Sequence, residues 1–207
     1  MRPAEVKSYS PAFEVNKPIN NATIAKVLKS NNSKFKAGDI IIGTLPTEEY
    51  SSVPAWLVNN MCRVLENPYK LDPKIYLGAL GMPGITAYSS FYEIGNPKKG
   101  ETIFISAASG AVGQLVGQLA KHEGLTVVGS VGSHEKLDFI TKELGFDGGF
   151  NYKEEKPAEA LKRLCPKGVD IYYENVGGEQ LDAALGTMNE YGRVSTYKPE
   201  VFKRDLG

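Results

Sequence analysis

The string Ala108-Ser109-Gly110-Ala111-Val112-Gly113 constrains the fold of this chain more than any other feature, because of what flanks it. Before it, Thr102-Ile103-Phe104-Ile105-Ser106 is apolar throughout its middle and reads as a buried strand. After it, Val112, Leu115, Val116, Leu119 and Ala120 recur at i, i+3, i+4, i+7 and i+8, which predicts a helix over 111–123 with one buried face. The string matches G-x-G-x-x-G with alanine in the first place. Between a strand and a helix, that pattern suits a dinucleotide. Gly110 lets the backbone approach a pyrophosphate, Gly113 lets the helix pack close to the strand, and the helix start offers free amide donors to phosphate. The plainer reading is a glycine-rich turn that only opens a helix, and the flanking elements weigh against it.

The same alternation continues downstream. Strands are expected at 126–129, 149–152, 169–174 and 193–196, with helices at 135–144, 157–164 and 179–188 between them and Ser133 as an N-cap. Upstream, Ile85, Tyr88, Phe91 and Tyr92 recur at helical spacing after Gly81. Strand–helix alternation implies an α/β fold with a Rossmann-like, doubly wound parallel sheet. Before Gly81 the grammar is different: two strands, 23–28 and 39–42, flank the turn-rich 29–34, with no helix between them. Pro46, Pro54, Pro68 and Pro73 interrupt any long element over 44–80. The expected division is a partial β domain over 1–80 and a nucleotide-binding domain over 81–207.

Cofactor choice is read at the end of the second Rossmann strand, where an NAD site carries an acidic residue for the adenosine ribose. Here the chain runs Gly129-Ser130-Val131-Gly132-Ser133, without a carboxylate, and Lys136 follows one helical step later. Small donors and a positive charge suit a 2′-phosphate, so NADP(H) is favoured over NAD(H). A solvated surface lysine is the alternative for Lys136. Val169-Asp170-Ile171-Tyr172-Tyr173-Glu174 ends in Asn175-Val176-Gly177-Gly178, and ligands bind at such carboxyl ends, so Asn175 is a candidate polar contact or else a loop cap. Gly81-Met82-Pro83-Gly84 reads locally as a turn with proline in the first helical turn.

Several classes of function are excluded by what the chain lacks. Lys+Arg and Asp+Glu number 24 each, so no basic surplus advertises nucleic acid or an anionic membrane as partner. There is no G-x-S-x-G elbow and no Walker lysine motif. Cys62 and Cys165 have no metal-ligand spacing with His122 or His134, so a catalytic zinc is not expected. Two cysteines, no apolar run of membrane-spanning length and no signal-peptide pattern at the start lead to the expectation of a cytoplasmic protein.

Taken together, Gly81-Met82-Pro83-Gly84-Ile85-Thr86-Ala87-Tyr88, Ala107–Gly113, Gly132-Ser133-His134-Glu135-Lys136, Phe150-Asn151-Tyr152-Lys153 and Glu174–Gly178 resemble the zinc-independent medium-chain reductases. Within them the similarity is to the leukotriene/prostaglandin reductases and plant alkenal double-bond reductases. The stretch Ala25–Asp39 resembles the hairpin of that family's GroES-like catalytic domain, and the resemblance covers about 20–196. It implies NADPH-dependent reduction of the carbon–carbon double bond of an enal or enone, with quinone reduction as the rival activity and a non-catalytic nucleotide-binding remnant as the alternative class. It also places Ala111, Val112, Gly113 and Gln114 at the diphosphate, Lys136 and Tyr152 at the 2′-phosphate, and Met82, Thr86 and Asn175 beside the nicotinamide. A full-length form is expected to be able to form a homodimer. Tyr50 and Tyr88 are the guesses for a proton donor.

The departures are at the ends. The family's Asp-Pro-Tyr-Met-Arg motif is represented only by Met1-Arg2, and Tyr197-Lys198-Pro199-Glu200 replaces the small-residue loop that follows Arg193-Val194-Ser195 in the family. These features lead to the expectation of a fragment, a frame-disrupted product or a reduced relative. Open sheet edges in such a chain are expected to bring marginal stability and weak or absent turnover.

Overall fold

The turn-rich stretch between the first two strands closes a hairpin. β1 (Asn20–Lys26) pairs antiparallel with β2 (Ile40–Pro46), from Asn20 opposite Pro46 to Lys26 opposite Ile40, and Val27 extends the ladder through bonds to Asp39 and Gly38. The prolines mark the boundaries that follow. Pro46 ends β2, Pro54 caps α1 (Ala55–Met61), and Pro73 opens a single 3₁₀ turn. β3 (Cys62–Val64) adds antiparallel to β2, where a side chain on Gly43 would fall 2.1 Å from the Met61 carbonyl oxygen. Phe35, Ile41 and Leu45 form the small core of this unit.

The computed structural model describes residues 15–196, and the chain divides into two compact units between Leu77 and Gly78. In the second unit the five strands are β4 (Thr102–Ile105), β5 (Thr126–Val131), β6 (Gly148–Asn151), β7 (Val169–Glu174) and β8 (Met188–Thr196). All pair in parallel, in the order β6-β5-β4-β7-β8, so the winding reverses between β4 and β7. The helices are α2 (Met82–Ser89), α3 (Gly113–His122), α4 (His134–Asp138), α5 (Pro157–Leu164) and α6 (Glu179–Leu185). Alternation of side chains along the strands builds two cores. Ile103, Ile105, Val127, Ile171 and Tyr173 meet Phe91, Val116, Ala120 and Ile140, while Phe104, Val128, Phe150 and Tyr172 meet Ala160, Leu161 and Ala184. The result is the expected Rossmann-like α/β sheet, preceded by a β domain.

The structure refines three readings. The helix after the glycine-rich string begins at Gly113, two residues late, because 106–112 first make a tight turn in which Ala107 adopts φ +47°. Ile85 and Tyr88 are exposed, and it is Ala87 and Phe91 that face the core; α2 then continues as a π-helical turn, Ser90–Gly95. The last helix stops at Leu185, and β8 starts five residues before the expected strand. The features at Met1-Arg2 and beyond Thr196 lie outside the described residues. No helix among the described residues is long and apolar enough to cross a membrane.

Candidate functional site

At the reversal between β4 and β7, the chain after β4 turns back on itself through Ala107. The Ala107 carbonyl accepts the Gly110 amide at 2.9 Å, and Gly110 in turn accepts from the Gln114 amide at 3.0 Å. The two glycines differ in what surrounds them. A Cβ on Gly113 would lie 2.6 Å from the Ala107 oxygen and 3.0 Å from Ala108 Cα, so Gly113 is required by the fold itself. A Cβ on Gly110 would meet only the Ala107 oxygen, at 3.1 Å, and both Gly110 and Ala111 are exposed. No side chain caps α3, and Val112, its N-cap residue, contributes only backbone. The arrangement is an open cradle of backbone at the positive end of a helix, with Gln114 in its first turn, which suits a pyrophosphate.

The second cluster forms where β5 and β6 end. Ser133 caps α4 by accepting the Lys136 amide at 3.3 Å, as its position in the sequence suggests. The Tyr152 amide bonds the Val131 carbonyl, and its hydroxyl lies so close to Gly132 that a Cβ there would stand 2.8 Å from it. Gly132 is therefore a seat for Tyr152. Lys136 is exposed, and among the described residues no carboxylate pairs with its ammonium. Glu154, on the turn after Tyr152, is held 2.9 Å from His134 Nε2. A cleft of about 270 Å³ runs between Ser109, Glu135, Lys136 and Phe139, joining the glycine-rich turn to α4. A second, of about 280 Å³, lies between Tyr152, Pro157, Val176, Gly178 and Gln180, across the ends of β6 and β7.

The third cluster sits on β4 and β7. Asn175 follows β7 directly; its Nδ2 donates to the Ser106 carbonyl at 2.7 Å, and its Oδ1 is buried with no partner among the described residues. Glu174, fully buried, accepts the amides of Val176 and Gly177 through Oε1. Thr86 is half-buried on α2 and its carbonyl accepts the Ser90 hydroxyl at 2.6 Å, whereas Met82 is exposed at the start of that helix. Gly84 is dictated by packing, since a Cβ there would fall 1.7 Å from the Ala79 oxygen. Of the two tyrosines guessed as proton donors, Tyr88 is exposed on α2 with its ring against Tyr92, and Tyr50 is exposed in the first unit.

The expected residues that follow β4, β5, β6 and β7 thus fall at the carboxyl ends of one sheet, whereas Met82 and Thr86 lie on α2, with Met82 exposed. A dinucleotide fits them on an observation independent of resemblance: Asn175 Oδ1 is a buried acceptor without a donor. Sequence reading missed Ser106, Tyr172 and Gln180, whose roles depend on pairings between distant strands. Ser130 and Gln180, both buried, hydrogen-bond across the floor between the ends of β5 and β7. Among the described residues no group of three or more His, Cys, Asp or Glu is placed to hold a metal ion.

Comparison with known proteins agrees with this geometry. Residues 111–197 match a zinc-binding dehydrogenase family model, and residues 1–60 match the N-terminal domain of oxidoreductases. The NADP-dependent oxidoreductase RED1 of Cochliobolus heterostrophus is 58% identical over 94% of this chain and 55% of its own length. The 2-alkenal reductase (NADP(+)-dependent) of Nicotiana tabacum is 50% identical over 91% of this chain and 54% of its own. Among solved structures, CurA from Vibrio vulnificus in complex with NADPH is similar with a TM-score of 0.80 and 34% identity, covering 92% of this chain and 55% of that one. The chain spans about half the length of the curated relatives it matches. With two family models in the expected order, a parallel sheet and a glycine-rich turn after its first strand, the chain belongs to the medium-chain dehydrogenase/reductase superfamily.

Proposed function

We propose that this chain binds NADPH and carries the cofactor half of a zinc-independent reductase that saturates the carbon–carbon double bond of α,β-unsaturated aldehydes and ketones. The observation that carries the cofactor reading is the end of β5, where Gly132, Ser133 and the Tyr152 hydroxyl gather, Lys136 follows, and the strand itself closes without the carboxylate of an NAD site, although Glu135 and Glu143 share the cleft with Lys136. The tobacco 2-alkenal reductase, half identical over nearly all of this chain, supports the substrate class.

In this reading Gly110, Ala111, Val112, Gly113 and Gln114 take the pyrophosphate. Lys136 and Tyr152 take the 2′-phosphate, and Asn175, Thr86 and Met82 border the nicotinamide. Bound NADPH supplies a hydride for the β-carbon of the substrate. Asn175 offers an acceptor that fixes the plane of the ring end, and the buried surroundings of Ser106 and Glu174 keep water from its back. The negative charge that develops on the substrate oxygen needs hydrogen-bond donors. A reducing, cytosolic setting agrees with the free thiols of Cys62 and Cys165.

The test mixes the purified chain with one equivalent of NADPH and follows nicotinamide absorbance after adding a simple alkenal or a quinone. Decay with the alkenal and not with the quinone is expected. Decay with the quinone alone moves the substrate class, and bound NADPH that decays with neither shows that this chain binds without turning over.

A further inference from the structure

β7 carries two adjacent tyrosines that leave the strand on opposite faces. On one face, the Tyr173 hydroxyl lies 2.6 Å from Ser90 Oγ, whose own proton goes to the Thr86 carbonyl. On the other, the ring of Tyr172 stacks on Phe104 of β4, with centroids 5.0 Å apart and planes within 7°. Ser106 lies two residues beyond Phe104, on the same face, and the Tyr172 hydroxyl donates to Ser106 Oγ at 3.2 Å.

Ser106 is fully buried and its hydroxyl is used to capacity. It accepts from Tyr172 and from the Asn175 amide at 2.8 Å, and it donates to the Tyr173 carbonyl at 3.4 Å. Its carbonyl accepts Asn175 Nδ2. Because the nitrogen of that carboxamide is already committed, the orientation of its oxygen is decided, and that oxygen is the buried acceptor without a partner.

We infer that Tyr172 and Ser106 are positioning residues, which hold the Asn175 carboxamide with Oδ1 presented to an N–H donor at the nicotinamide end of NADPH. This rests on the NADPH reading and adds to it the residues that aim its contact. Asn175 is fixed from its far side as well, because Glu174 Oε1 grips the next two amides. The Tyr172 phenol is raised above its ordinary pKa, by burial first and then by the neighbouring Glu174 carboxyl, so it stays protonated and remains a donor to Ser106 through the physiological range. It points to Ser106, and Glu174 Oε2 is left without a bond.

The experiment titrates the whole chain and its variants with NADPH and, separately, with 2′,5′-ADP, which has the phosphate end and no nicotinamide. Tyr172→Phe and Ser106→Ala are each expected to weaken NADPH about 10-fold, the scale of one neutral hydrogen bond, and to leave 2′,5′-ADP within about twofold. In an Asn175→Ala background the Tyr172→Phe change is expected to have no further effect, since its path is gone. Equal loss for both ligands, or full additivity with Asn175→Ala, marks a merely structural tyrosine and overturns the inference. Wild-type chain that binds neither ligand overturns the NADPH reading together with it. Wild type that binds both, with variants indistinguishable from it, overturns the inference alone.

Discussion

Gly110 and Gly113 look alike in the sequence and are required for different reasons, which makes them the sharpest test of the site. At Gly113 the backbone of Ala107 and Ala108 occupies the space a side chain needs, so Gly113→Val is expected to cost about 3 kcal/mol of stability as well as binding. At Gly110 the space is nearly open, so Gly110→Val is expected to keep far-ultraviolet circular dichroism and thermal unfolding close to wild type and to lose NADPH. If Gly110→Val still binds, the turn only opens a helix. Lys136 is the second residue to isolate. Its ammonium is unpaired among the described residues, and Lys136→Ala is expected to weaken NADPH by about 1–3 kcal/mol with little change for NADH, measured by fluorescence titration. An equal loss for both cofactors would remove the 2′-phosphate from its role. What the sequence could show at this scale was residue type and spacing: Gly132, Ser133 and Lys136 were legible because they follow a strand end, and Tyr152 only through the family resemblance. Ser106 and Tyr172 were not, because their bond spans 66 positions and exists only once β4 and β7 are known to be neighbours.

Helices and strands in the second unit are joined by polar side chains as well as by apolar packing. Arg193 on β8 makes a two-pronged pair with Glu101, at 2.9 and 2.6 Å, and also donates to the carbonyls of Gly95, Asn96 and Asp170, joining the end of the π-helical turn to the strands. Tyr92 joins the same turn to the end of α3, donating to Glu123 at 2.7 Å. That bond and, to a smaller extent, burial push the Tyr92 phenol from 10 up to about 12. A raised phenol pKa means that the contribution of the bond is complete below pH ~10 and is lost as pH rises through about 12. Tyr92→Phe is therefore expected to lower stability at neutral pH by about 0.5–1.5 kcal/mol and to flatten part of the alkaline decline in thermal unfolding. A decline of unchanged steepness in the variant would remove Tyr92 from the alkaline transition. Element types were largely legible, since the change from period 2 to period 3.6 after Gly81 is strong. Boundaries and faces were less so. The row Ile85, Tyr88, Phe91, Tyr92 has helical spacing, but only packing against the sheet decides that Ala87 and Phe91 turn inward. The start of β8 was hidden because Tyr191 takes φ +62° and the ladder shifts register between Val169 and Ile171.

The whole chain carries two thiols, one in each unit, and they report on the two units separately. Cys165 is buried against the second core and its thiol is raised to about 11 by burial, while Cys62 is half-buried in the first unit. At mildly alkaline pH a thiol reagent is expected to label at most Cys62 in the native protein, with Cys165 reacting only as the second unit unfolds. Equal labelling rates would mean that the second core is open. The order of the strands bears on something slower than chemistry. Ser106 and Asn175 hang from β4 and β7, which are flanked on both sides, whereas Tyr152 follows β6, an outer member of the five. Outer strands open at lower free energy than inner ones, so amide hydrogens at Phe150 and Asn151 are expected to exchange with deuterium sooner than those at Phe104 and Tyr172. The proposed grip on the phosphate is then the part of the site expected to breathe, and the wall that would aim a hydride is expected to be among the last parts of the protein to come undone.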